Sequence, residues 1–300
     1  MIKSRSAKFN DYLIAALCLL LIFIALLPIL NVLARSLSSS DALIRNEVLL
    51  WPKGWNLDAY KTVLQDSKYT WSLGWTAILT VICTVLSMTI TILCAYPLIY
   101  DQLKGRKIIN GFIVLTMYFN AGLIPNYMLI KSLGMINTFN VYWVPNIISA
   151  FNLIVIRTYI RSIPESFIES AKIDGAKEFR IFWQIIMPLC IPTLATIALF
   201  VAVGSWNSWF DTFLYNSGKQ HLSTLQYELQ KLLASAMNAG NRTPGGSGAN
   251  AAAASGAGNV ATPQSIRAAI TIVTAVPILV VYPFLQRYFV NGLAIGGVKE

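Results

Sequence analysis

Residues 163–188, IPESFIESAKIDGAKEFRIFWQIIMP, decide how the rest of the chain is read. They form a charged island between long runs that carry almost no charge. Ser166-x-x-Glu169 fits a capping box, in which a hydroxyl satisfies an orphan helix amide and the carboxylate reaches back. Asp174-Gly175 reads as a helix stop, because glycine adopts the left-handed conformation past a helix end at little cost. A second helix, from Ala176 to about Ile186, is expected to lead back into apolar sequence. Along the first helix Phe167, Ile168 and Ala171 make an apolar ridge, while Glu165, Glu169 and Lys172 present charge. Taken alone, the island is equally compatible with a solvated loop in which Glu169 is only a cap.

Working outward, six apolar segments stand out: 12–34, 72–100, 108–130, 139–156, 188–210 and 268–286. None contains Asp, Glu, Lys, Arg or His. A hydrocarbon core about 30 Å thick takes about 20 residues at 1.5 Å each, a length the fourth segment only just reaches. Backbone polar groups in hydrocarbon must bond within their own segment, so these segments are expected to be helices. Composition agrees, with 56% apolar and 12% charged residues, about half the roughly 25% usual in soluble domains. The mean hydropathy is +0.59. The fold class expected is therefore all-α, a polytopic membrane protein of six transmembrane helices. Residues 3–8 could open a signal peptide, but the apolar run after them exceeds the usual 7–15 residues. It reads as a retained first span.

The formal charge of +10 would suggest nucleic acid in a soluble protein. Here Lys and Arg concentrate in short segments: the N-terminus (1–10), 101–107, the island and the tail after Gln286. The positive-inside rule places all of these, and both termini, in the cytoplasm. The long loops 35–71 and 211–267 then lie outside. Within the second, 221–236 carries Leu222, Leu225, Leu229, Leu232 and Leu233 at helical spacing, and 238–262 dissolves into a Gly/Ala/Ser/Asn linker. The four cysteines (18, 83, 94 and 190) fall in apolar runs without metal-ligand spacing and read as small buried hydrophobes.

The ordered series Pro164, Glu169, Ala171, Asp174, Gly175, Ile185 and Pro188, ahead of the fifth span, resembles the cytoplasmic EAA loop of bacterial ABC importer permeases. Further stretches extend the resemblance over most of the chain: 119–125 (FNAGLIP), 132–138 (SLGMINT), 281–286 (VYPFLQ) and 289–299 (FVNGLAIGGVK). Together they are similar to permease subunits of the carbohydrate (maltose-type) family, in particular the branch importing polysaccharide-derived oligosaccharides. The resemblance implies a type I importer architecture with 11–300 as one permease domain and 163–187 as the coupling loop. It implies contact with the ATPase through Glu169, Ser170, Ala171, Asp174, Gly175, Ile185 and Pro188, Glu169 pairing with a basic group. Ser170 and Met187 stand where Ala and Leu are usual, and Glu300 follows Lys299 where Gly often ends the chain. The partners implied are a second permease subunit, two ATP-binding subunits and an extracytoplasmic solute-binding protein. ATP and Mg are used by the ATPase, and no cofactor or metal is expected on this chain.

A sugar path needs aromatic faces and neutral hydrogen-bonding groups. Trp206, Asn207 and Trp209, near the outer end of the fifth span, have those chemistries, as do Asn120, Asn146 and Asn152 within spans. The same residues can serve as interfacial anchors or helix glue. Two other function classes fit a multi-span chain. A proton-coupled carrier needs titratable groups at mid-membrane, which the segments lack, though sodium coupling through carbonyls stays open. A membrane enzyme needs catalytic carboxylates, histidine or a phosphate-binding loop in the spans, and none is written there. A permease for another solute is the remaining alternative.

Overall fold

The computed structural model describes residues 5–240 and 262–297, and every regular element among them is helical. The proposed linker at 238–262 falls almost wholly outside the described residues, as do Lys3, Lys299 and Glu300. Two compact units emerge. One comprises Met1–Thr70 with Leu229–Val276, the other Trp71–Glu228 with Pro277–Glu300.

In the first unit α1 (Arg5–Ser36) presents a window of mean hydropathy 3.2, none of it buried by the rest of the chain. Such a surface requires hydrocarbon or another protein around it. After α1 the chain turns into α2 (Ser40–Ile44), which Ser39 caps by accepting the Ala42 amide. Ala34, Ala42, Leu43 and Val48 form a small core there. The chain is tied back on itself where Ser38 Oγ accepts the Lys53 amide at 3.1 Å, and the Ser39 amide donates to the Lys53 carbonyl at 3.0 Å. A short helix, α3 (Asp58–Gln65), follows.

The second unit holds α4 (Ser67–Ala95), α5 (Arg106–Tyr118), α6 (Leu123–Ser132), α7 (Asn140–Trp143), α8 (Ala150–Ser162), α9 (Ser166–Ile173), α10 (Glu178–Ile181), α11 (Met187–Trp206) and α12 (Phe210–Tyr215). Helix α13 (Leu225–Gly240) and the long α14 (Pro263–Gly297) run across both units. Ile92 and Ala95 of α4, Leu153, Ile156 and Ile160 of α8, Ala171 of α9 and Ile181, Phe182, Ile186 and Cys190 share one buried core.

Among the described residues four helices are long and apolar enough to cross a membrane: Asn10–Ser36, Ser67–Ile99, Glu178–Trp206 and Pro263–Pro283. The expected third and fourth spans depart from this. Segment 108–130 is not one helix but α5 and α6, bent by 120° at residues 119–122. Gly122 takes φ +92°, which a side chain would resist, and the Asn120 carboxamide oxygen accepts the Gly122 amide at 2.9 Å. Segment 139–156 breaks at Pro145, which has no amide to donate, and restarts as the 13-residue α8. At 1.5 Å per residue α8 reaches about 20 Å, short of a bilayer core.

The fifth segment, expected at 188–210, is instead a helix over Glu178–Trp206. A π turn, Phe182–Ile186, interrupts it, with the Met187 amide bonding back to the Phe182 carbonyl. Pro188 sits immediately after the turn. Its missing amide and its ring both disfavour a regular bond one turn back, and the wider turn absorbs the mismatch. The second helix of the island, expected to end near Ile186, is therefore the start of this span.

Candidate functional site

Helix α9 differs at its start from the expected capping box. Ser166 is the first helical residue, Glu165 occupies the cap position, and no side chain caps the helix. The amides of Phe167, Ile168 and Glu169 bond instead to the carbonyls of Pro164 and Glu165. The turn set by Pro164 does the work the box would have done, and Glu169 is released. Its carboxylate is exposed and has no partner among the described residues.

The end of α9 follows the expectation. The Ala176 amide bonds to the Ala171 carbonyl at 2.9 Å and the Gly175 amide to the Lys172 carbonyl at 3.0 Å, with Gly175 at φ +75°. This pair of bonds is a Schellman stop, which satisfies two carbonyls that would otherwise be orphaned. Ala171 is buried in the core and Ile168 packs beside it, so the helix is seated on the bundle along one line. The expected ridge is thus only partly a packing face. Phe167 is 51% exposed and Ile173 86% exposed, beside exposed Ser170 and Asp174. Ile185 is half-buried on the same core, and Pro188 is exposed at the register shift.

One carboxylate joins α9 to two other elements, and the sequence reading did not single it out. Glu178 Oε1 pairs with Lys172 Nζ of α9 at 2.9 Å. Its Oε2 accepts hydrogen bonds from Tyr96 at 3.0 Å and Tyr100 at 2.7 Å, just past the end of α4. The ammonium of Lys172 also lies over the Tyr100 ring, 5.2 Å from its centroid. A charged contact on a mobile surface side chain is weak, but here three donors converge on one acid.

A second locus lies in the same unit. A cavity of about 300 Å³ is lined by Ser87 of α4, by Tyr142, Trp143, Asn146, Ser149 and Asn152 around α7 and α8, and by Ser205, Ser208 and Asp211. Of the proposed substrate-path residues only Asn152, with Asn146, lies here. Trp206 is buried instead and lines a separate apolar pocket with Ala77, Val81, Pro277 and Ile278. Asn207 donates to the Val203 carbonyl and closes α11. Trp209 packs edge-on to Phe210, and Asn120 serves the α5–α6 bend. Asp211 was missed because it lies just past the apolar run. Burial raises its carboxyl above the ordinary range, partly offset by a hydrogen bond from Ser208 at 2.9 Å.

One end of this unit is braced by hydrogen bonds. Tyr142 donates to the Leu222 carbonyl at 2.6 Å, Trp75 to the same carbonyl at 3.1 Å, and Trp71 to that of His221 at 2.9 Å. The Leu225 amide, at the start of α13, donates to Thr76 Oγ1 at 2.9 Å. Leu222, Leu225 and Leu229 are buried, as the leucine spacing implies, although the helix begins only at Leu225, while Leu233 is exposed. Cys83 and Cys190 are buried as expected, but Cys18 is exposed on α1. Among the described residues no three His, Cys, Asp or Glu gather as a metal site.

Residues 74–210 match the family described as binding-protein-dependent transport system inner membrane component. The chain is 36% identical to protein LplC of Bacillus subtilis, covering 92% of this chain and 90% of that protein. It is 34% identical to the polygalacturonan/rhamnogalacturonan transport system permease protein YtcP of the same organism, covering 96% of this chain and 98% of that one. Among solved structures it is similar to a chain of a bacterial ABC transporter involved in the import of the acidic polysaccharide alginate. That match has a TM-score of 0.84 and 30% identity over 96% of this chain and 99% of the other. The chain belongs to the family of binding-protein-dependent transport system inner membrane components, as a multi-pass permease subunit of an ABC importer and not its ATPase.

Proposed function

We propose that this chain is half of the membrane pathway of an oligosaccharide importer, driven through α9 by a separate ATPase. The observation that carries the reading is the construction of α9. It is a short helix stopped by the Gly175 lock and seated on the bundle through Ala171, with Phe167, Ile173 and the unpaired Glu169 carboxylate turned outward. A motor protein can move spans only through a stiff part held at both ends, and this is such a part. Glu169 pairs with a basic group on the ATPase. Ser170, Asp174 and Gly175 complete the docking face, while Ile185 and Pro188 relay its movement into α11.

The relatives' substrates supply the solute class. LplC and YtcP match nearly end to end, and YtcP and the alginate importer handle polysaccharide-derived sugars by their names. The cavity around Asn146, Asn152, Ser205 and Asp211 supplies neutral and acidic hydrogen-bonding groups with Tyr142 and Trp143 beside them. That is the chemistry sugar hydroxyls need, and it replaces the Trp206–Trp209 patch as the substrate-facing surface. In the assembly a second permease completes the pathway, two ATP-binding subunits using ATP and Mg lie below, and a solute-binding protein delivers from outside. Six crossings with both termini inside accommodate α5–α6 as a bent crossing and α7–α8 as a broken one.

The test is to assemble the four kinds of subunit in proteoliposomes and measure ATP hydrolysis stimulated by binding protein loaded with a panel of oligosaccharides. Stimulation by at least one sugar is expected. An assembly that hydrolyses ATP but responds to none would overturn the substrate class.

A further inference from the structure

Two polar rungs join α5 to α8 in the second unit. In the first, Asp101, just ahead of α5, pairs with Arg106 at the head of α5 and with Arg161 of α8, the latter at 3.3 Å. In the second, Arg157 of α8 donates to the Asn110 carboxamide oxygen of α5. Four residues separate Arg106 from Asn110 and Arg157 from Arg161, so the rungs stack one helical turn apart. Three guanidinium groups are thereby gathered around one carboxylate. No other Asp or Glu among the described residues forms an ion pair with any of the three. Exposed Lys104 and Lys107 add charge of the same sign.

The cluster is open to a ligand: the side chain of Asp101 is 86% exposed and that of Arg161 44%. Arg157 and Arg161 each have a single hydrogen-bond acceptor, which leaves most of the five donors of each guanidinium for another.

What surrounds the cluster decides the kind of acceptor. No residue of α5 is buried, and Ile108, Ile109, Phe112 and Leu115 are exposed along it. An apolar flank of that length needs hydrocarbon around it. It begins two residues after Arg106, so the arginines lie at the depth of lipid headgroups. An acidic protein face would match the arginines and leave the flank bare. A phospholipid covers both, with phosphate oxygens on the forked donors and acyl chains around α5. The surplus of positive charge favours a headgroup that carries no cation of its own.

We propose that Arg157 and Arg161 of α8, with Arg106 of α5, hold the phosphate of an anionic phospholipid. The lipid ties α5 to α8 just before the chain enters α9. The inference goes beyond the importer reading, and its test needs neither sugar nor ATP, so the two stand or fall separately.

The assembled importer is incubated with equal amounts of phosphatidylglycerol and phosphatidylcholine, and the lipid it retains is counted by native mass spectrometry. Phosphatidylglycerol should be retained in preference. Arg157→Gln and Arg161→Gln should each weaken its binding about fivefold, the worth of one cation near such a surface. Arg161→Lys, which keeps the charge, should lose less. Asp101→Asn removes the one competing acid and should tighten binding. Phosphatidylglycerol should also raise the melting temperature of the wild type more than that of the glutamine variants, and melting without lipid checks that each variant is folded. Equal retention of the two lipids, a preference unchanged in both glutamine variants, or weaker binding in Asp101→Asn overturns the proposal. So does displacement by soluble glycerol phosphate at the same concentration as the lipid, which would mark a site for free anions. A preference seen in the isolated subunit but lost in the assembled importer also overturns it, because a companion subunit would then cover the cluster.

Discussion

Glu169, Gly175 and Asp211 each do something a neighbouring residue type could not. The Glu169 carboxylate has no partner among the described residues, so its removal should leave folding alone. Glu169→Ala is expected to abolish import while the protein still inserts, read by membrane-fraction abundance beside sugar uptake. Uptake near wild type would end its docking role. At Gly175 a Cβ would meet nothing within 4 Å, so the cost of a side chain is conformational alone. That cost is about 1–2 kcal/mol in the left-handed region, and Gly175→Val should cost more than Gly175→Ala in both melting temperature and uptake. For Asp211, burial raises the native carboxyl above its unfolded value. The unfolded chain therefore gives up this proton first as pH rises, and native stability falls across that window. Asp211→Asn should melt higher at neutral pH, by roughly 2–4 °C per kcal/mol for a chain of this size. The gain should vanish once the medium is more acidic than an ordinary aspartate. A gain that stays constant with pH would mean the charge is not its cause. Of these three residues the sequence announced two. Asp211 escaped because its meaning depends on burial, which a short loop does not betray.

At the scale of elements, α9 and its glycine stop were legible because helix termination is local chemistry. The capping box was not, since Ser166 could cap only if the chain before it were extended, and Pro164 folds that chain into a turn. The joint at Glu178 was out of reach for a different reason. It unites residues 78 and 82 positions apart, and no local pattern encodes that meeting. Glu178→Gln removes the charge that holds Lys172 but keeps an acceptor for the tyrosines. Because both ions are about half exposed, the loss is expected to be small, about 1 kcal/mol or less. The expected outcome is several-fold less sugar imported per ATP hydrolysed, with hydrolysis itself maintained. Equal losses of hydrolysis and import would instead mark Glu178 as a general support of the fold.

At the scale of the molecule, composition alone gave an all-helical membrane protein, because backbone chemistry in hydrocarbon permits nothing else for such runs. Counting crossings from apolar length was less secure. Segments 108–130 and 139–156 keep their hydropathy while Gly122 and Pro145 break their helices, and a hydropathy count is blind to backbone breaks. Orientation, read from Lys and Arg, makes its own prediction. In a variant with the four native cysteines replaced, a single cysteine at Ser170 should react with an impermeant maleimide only after the cytoplasmic face is opened. One at Gln220 should react in intact cells. The reverse pattern would turn the whole reading over.

The bare flank of α1 also governs how the protein can be handled once taken from its membrane. With none of that apolar window sheltered by its own chain, a micelle has to cover the full length of the helix. Short-chain detergents should therefore precipitate the isolated subunit, whereas longer-chain ones, or co-extraction with its companion subunits, should keep it monodisperse on size exclusion.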